Sequence, residues 1–197
     1  MLPALKAATD GHHVRVEAAM PSLDALATPE GYATALRALH AFHAAWEPAV
    51  WRAPGLAEAG MIASERRHLP QLEADLRARD ITPCAVQPPA PGALDTAAAL
   101  GALYVLEGAT LGGRVIHRHI AGPLGITPEH GGAYYHGYGA ETGARWKEFC
   151  DAVHRHVEAH ADEARVIEGA VACFAALESW LATPGAPESP QPLAAAS

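Results

Sequence analysis

The 197-residue chain has the length of one ordinary domain, enough to bury a real core and too short to suggest two. Its 14 Lys and Arg against 22 Asp and Glu leave a net charge of −8, which argues against nucleic acid or an anionic membrane surface as the principal partner. With 50% hydrophobic and 18% charged residues, most of the chain cannot be disordered.

Cys84, Cys150 and Cys173 stand far apart without a CxxC pair, so neither a disulfide framework nor a thiolate zinc site is expected. The N-terminal stretch lacks the basic start and long apolar run of a signal peptide, and no run approaches about 18 uninterrupted apolar residues. A soluble, cytoplasmic protein is the expectation.

Apolar residues recur at spacings of three and four almost throughout, and the chain reads as all-α. A first helix is expected from Leu2 to Met20, with Leu2, Leu5, Thr9, His13, Val16 and Met20 along one face. Thr28-Pro29-Glu30 starts a second with a Thr cap and a first-turn Pro, running to Pro48. A third covers Leu56 to Arg79 and carries Pro70, which predicts a kink. Residues 80–92 form a Pro-rich loop. A long helix follows from Leu94 to Ile120, then a Gly- and Tyr-rich loop from Gly131 to Gly139, a helix from Thr142 to His160 and a last one from Asp162 to Leu181. Residues 1–182 form the domain, and a Pro-, Ala- and Ser-rich tail over 183–197 is expected to be disordered.

The chemistry concentrates on two helices. Gly101, Gly108, Gly112 and Gly113 interrupt the long fourth helix, each at a cost of about 1 kcal/mol relative to Ala. Gly101, Gly108 and Gly112 are spaced seven and four apart, which places them on one bare face. Tight helix packing accounts for such a face, and so does a flat ligand lying on it, with Gly112-Gly113 permitting a bend. In the first helix His13 occupies the apolar stripe with Glu17 at i+4, the arrangement in which a metal-ligating imidazole is oriented by a carboxylate. His12 competes, but its i+4 neighbour is Val16. Lys6 lies about 10 Å before His13 on the same face and could meet an anionic group.

Leu5-Lys6-Ala7-Ala8-Thr9-Asp10-Gly11-His12-His13 with Glu17 resembles the proximal helix of the haem oxygenases, and Leu103-Tyr104-Val105-Leu106-Glu107-Gly108-Ala109-Thr110-Leu111-Gly112-Gly113 resembles the distal helix of their bacterial branch, especially enzymes supplying biliverdin to bacteriophytochromes. Looser matches at Tyr32 with Leu36, Arg66-Arg67 to Leu76, and Val166 to Phe174 extend the likeness over residues 2–181.

The resemblance implies a single-domain helical bundle with haem b, both substrate and cofactor, between the first and fourth long helices. His13 would be the axial ligand, Glu17 its orienting partner, and Lys6 with Lys147, or its neighbour Arg145, the propionate-binding cations. Gly108, Gly112 and Gly113 would pass over the distal face. The implied reaction opens haem to biliverdin with release of CO and ferrous iron, using O2 and electrons from a reductase, ferredoxin or flavodoxin-type donor. Animal-type members carry a carboxylate after the first distal glycine, where this chain has Ala109, so proton delivery would fall to Thr110, backbone carbonyls near Gly108, or Arg114.

Two other readings share these residues. A haem carrier or sensor would keep His13 without turnover. A di-iron oxygenase could use Glu65-x-x-His68 and Asp151-x-x-His154, although both fragments sit in charged, solvent-like surroundings. His40 and His43, and the group His154, His156 and His160, read as exposed or structural.

Overall fold

The computed structural model describes residues 1–183; the tail expected beyond them lies outside the described residues. Among the described residues nine α-helices carry the fold: α1 (Leu2–Ala19), α2 (Leu23–Leu26), α3 (Pro29–Val50), α4 (Ala63–Arg66), α5 (Leu69–Ala78), α6 (Thr96–Leu124), α7 (Ala133–His136), α8 (Thr142–His160) and α9 (Glu163–Leu181). No strand occurs among the described residues, and the all-α expectation holds.

The central element is α6. Asp95 caps it by accepting the Ala98 N–H at 2.8 Å, and Gly125 ends it in the left-handed conformation. It therefore starts later than Leu94 and runs past Ile120. By length and hydropathy α6 could cross a membrane, but 56% of its apolar window is buried inside the bundle, as befits a core helix. Leu100 and Leu103 of α6 join Phe42, Trp46, Phe149 and Val166 in one apolar cluster, while Ile120 joins Tyr32, Leu36 and Leu72 in another.

Where α6 crosses α9 the backbones nearly touch. A β-carbon on Gly101 would collide with the Val166 carbonyl, and one on Gly169 would collide with the backbone of Ala98. Gly101 thus serves helix packing, and the expectation that it shares a ligand-bearing face with Gly108 and Gly112 is corrected. Seven residues set Gly101 about 10 Å along the axis from Gly108, so the same face meets α9 at one level and the cleft at another.

The single third helix is also corrected. Residues 51–60 are turns, with Gly55 and Gly60 in the left-handed region (φ +73° and +88°), and helix resumes only at α4 and α5. Pro70 sits in the first turn of α5, where no N–H is needed, so it starts a helix and kinks none. Short α2 falls between the expected first and second helices, and α7 lies inside the Gly- and Tyr-rich stretch expected as loop.

Candidate active site

The apolar stripe of α1 runs off the core. Leu5 and Thr9 are buried, whereas His13, Val16 and Met20 emerge onto the wall of a cleft of about 760 Å³. The opposite wall is α6, and Trp146 of α8 with Phe174 and Leu177 of α9 close one side. The volume falls within the range of small-molecule sites, and the lining is mostly apolar.

Lys6, His13 and Glu17 share this cleft with Gly108, Ala109 and Gly112. The His13 side chain is 58% exposed, with Glu17 Oε2 3.5 Å from Nδ1 and the ring edge toward Phe174. That geometry leaves Nε2 for a ligand. His12 is committed elsewhere: its Nδ1 lies 2.9 Å from Glu178 Oε2, beside the Arg15–Glu178 pair that ties α1 to α9. These partners, Arg15 above all, hold the Glu178 carboxyl below its ordinary range. On α6 a β-carbon at Gly112 would meet nothing within 4 Å, and one at Gly108 only the Trp146 ring at 3.8 Å. Lys6 is solvent-exposed and pairs loosely with Asp10, at 3.4 Å.

Other expected residues lie elsewhere. Gly113 faces away from the cleft, where a β-carbon would press on the Tyr135 carbonyl. Thr110 is buried and donates to the Glu107 carbonyl at 2.7 Å, and Arg114 is exposed; neither lines the cleft. Lys147 lies outside the lining and holds Asp151 at 2.6 Å. Arg145 is tied to Glu65 at 3.0 Å and stacks over Tyr138, also outside the cleft. These four side chains are committed to partners or to other faces because helical spacing alone does not say which neighbour packs against which face.

Behind α6 lies a buried polar array that spacing did not reveal. His68, expected in solvent-like surroundings, and His43, expected to be exposed or structural, are each 2% exposed. Glu47 Oε1 accepts the main-chain N–H groups of His68 and Leu69, both at 3.0 Å, and lies 2.6 Å from His43 Nδ1. Glu107 receives Arg66 at 3.0 Å and the Tyr138 hydroxyl at 2.9 Å, with His68 Nε2 3.6 Å away. Burial would raise Glu47, but hydrogen bonds from His43 and the His68 backbone bring it below its usual carboxylate range. Burial lowers His43, whereas Glu107 and Glu47 lift His68 against the same desolvation. Among the described residues no group of three His, Cys, Asp or Glu side chains is arranged to hold a metal, and the Asp151 and His154 pair is solvent-exposed.

Sequence reasoning missed the cleft-lining Tyr134, Tyr135 and Trp146. For the two tyrosines the signal was the density of aromatics in the Gly131–Gly139 stretch, which reads as loop because α7 is a single turn held from outside; Trp146 carried none. Buried Asp75 accepts the Ala133 and Tyr134 N–H groups at 2.8 and 2.9 Å. Burial raises the Asp75 carboxyl, and these two bonds oppose the rise.

Among the described residues the helical bundle holds a large apolar cleft with an imidazole on one wall and bare backbone on the other, a shape that suits a flat ligand. Residues 86–183 match the family model described as Heme oxygenase. A Heme oxygenase of Xanthomonas campestris pv. campestris (strain 8004) is 36% identical over 124 residues, 62% of this chain and 72% of that protein. The NO- and CO-bound heme oxygenase of Neisseria meningitidis has the same fold, with a TM-score of 0.73 at 22% identity over 91% of this chain and 88% of that one. The chain belongs to the heme oxygenase family. It is an enzyme that degrades haem.

Proposed function

We propose that haem would be held between α1 and α6, with His13 Nε2 meeting the iron, Glu17 orienting the imidazole through Nδ1, and Lys6 meeting a propionate at the rim. The observation that carries this reading is the free His13 imidazole, oriented by Glu17, sharing one apolar cleft with unfilled Gly112. Bound haem supplies both the iron at which O2 is reduced and the meso carbon that is oxidised, giving biliverdin, CO and ferrous iron.

The chain's own groups bind and exclude. Gly108 and Gly112 leave the α6 wall bare, which would make room for bound haem and O2, and Trp146, Phe174 and Leu177 would keep water from the ligand. The Thr110 hydroxyl is spent on the Glu107 carbonyl and Arg114 is outside the cleft, so backbone carbonyls near Gly108 are the groups left to hold proton-delivering water beside Ala109. Electrons come from an external reductase, ferredoxin or flavodoxin-type donor, and the distal-helix sequence supports delivery of biliverdin to a bacteriophytochrome.

Hemin added to the purified protein, then a reductant in air, tests the reading by absorption spectroscopy. Stoichiometric hemin binding followed by biliverdin formation is expected. His13→Ala that keeps the wild-type haem spectrum while His12→Ala loses it would overturn the assignment.

A further inference from the structure

Five tyrosines occur in the chain, and their hydroxyls differ in what they could give a proton to. Tyr32 donates to the Gly131 carbonyl at 2.6 Å, which is no base. Tyr135 is buried with its hydroxyl unpaired among the described residues, and Tyr104 lines the cleft half-buried. Tyr138 has a carboxylate partner, Glu107, but lies outside the cleft lining. Tyr134 alone both lines the cleft and meets an imidazole: its hydroxyl is 3.3 Å from His43 Nε2.

The tautomer follows from the next contact. Glu47, 2.6 Å from His43 Nδ1, is ionised and also accepts two main-chain N–H groups, so it can only accept from the imidazole. The His43 hydrogen therefore sits on Nδ1, Nε2 carries a lone pair, and the phenol donates to it. Burial keeps His43 neutral at ordinary pH and makes simple ionisation of Tyr134 inaccessible. A phenol hydrogen-bonded to a neutral imidazole can nevertheless lose an electron, because its proton has an acceptor already in place.

We propose that Tyr134 is a redox-active residue of the haem cleft, giving up one electron to an oxidant generated there while its proton moves to His43 Nε2. The oxidant class is peroxide: hydrogen peroxide becomes two waters by taking two electrons, one from Tyr134 and one from the haem, with two protons from solvent. The O–H bond of Tyr134 breaks and an N–H bond forms on His43, leaving a neutral phenoxyl beside an imidazolium that still donates Nδ1–H to the Glu47 carboxylate. One electron returned from the external donor to the phenoxyl, with the proton moving back from His43, restores Tyr134, and a second electron from the same donor restores the haem. The residue then discharges oxidising equivalents that would otherwise attack the protein around the cleft. Rings of Tyr135 and Tyr32, at centroid separations of 5.3 and 6.0 Å along the series, extend the aromatic path inward.

This inference rests on haem occupying the cleft, so hemin titration of each variant comes first; failure of wild type to bind hemin would indict the cleft reading itself. The hemin complex is then treated with hydrogen peroxide, frozen, and examined by electron paramagnetic resonance. A tyrosyl signal is expected in wild type, Tyr104→Phe and Tyr135→Phe, and is expected to be lost in Tyr134→Phe. A hemin-loaded Tyr134→Phe protein with the full wild-type signal would overturn the proposal. Nitrogen-15 spectra of haem-free wild type supply a second check that needs neither a variant nor turnover: His43 should be protonated at Nδ1 and not at Nε2. Protonation at Nε2 would remove the acceptor and overturn the proposal.

Discussion

Glu47 of α3 builds the start of α5 by meeting His68: its Oε1 accepts the His68 N–H at 3.0 Å and that of Leu69 at the same distance. One buried carboxylate thus satisfies two of the N–H groups that a helix start leaves without partners, and it does so from another helix.

Glu47→Gln should cost about 1.5–3 kcal/mol at pH 7, the range for hydrogen bonds to a charged group. Because the folded carboxyl titrates below its ordinary 4.5, the stability it provides is complete above pH 4.5 and disappears as the pH falls through the lower folded value. His43 acts in the same direction, since the fold keeps it neutral while the unfolded chain takes up a proton below 6.5. His68 acts oppositely: its folded value is raised, so its contribution is full below 6.5 and is lost as the pH rises through that higher value. Thermal unfolding against pH should show the gap between wild type and Glu47→Gln closing on the acid side; a gap constant from pH 7 to pH 3 would refute the linkage.

The glycines of α6 should separate into two kinds. Gly101→Ala should destabilise the haem-free protein by about 1–3 kcal/mol, because the added carbon forces α6 and α9 apart. Gly112→Leu should leave haem-free stability unchanged or raise it by roughly 0.8 kcal/mol, the helix-propensity difference. Thermal melts of the two variants without haem decide the matter, and the reverse ranking would be inconsistent with the contacts described.

Gly112→Leu should then fail in a different assay. Its side chain enters the cleft, so hemin should bind weakly or in an altered position and biliverdin yield should fall while the fold persists. Full biliverdin yield from this variant would place the porphyrin elsewhere.

The rim cations should also separate. Lys6→Gln should weaken hemin binding in titration, whereas Lys147→Gln should behave like a change at exposed Arg77, because Lys147 lies outside the cleft and is engaged with Asp151. Equal losses at Lys6 and Lys147 would count against this division.

The helices of this chain were legible because helix formation is local. Thr28-Pro29 and the three-and-four spacing act over a few residues, and the first, second and fourth long helices can be read from them with small errors at the ends. The two motifs facing the cleft were legible too, since His13 in an apolar stripe and glycine inside a strong helix each break a local rule. What the sequence could not decide was which neighbour each face meets. Gly101, Gly112 and Gly113 look alike in the chain, yet one admits α9, one opens on the cleft and one admits the carbonyl of Tyr135. His68 read as lying in solvent-like surroundings, and nothing local marked Arg66 or Glu47 as buried; only the tertiary structure gives the three their partners, and that pairing is what makes their burial affordable.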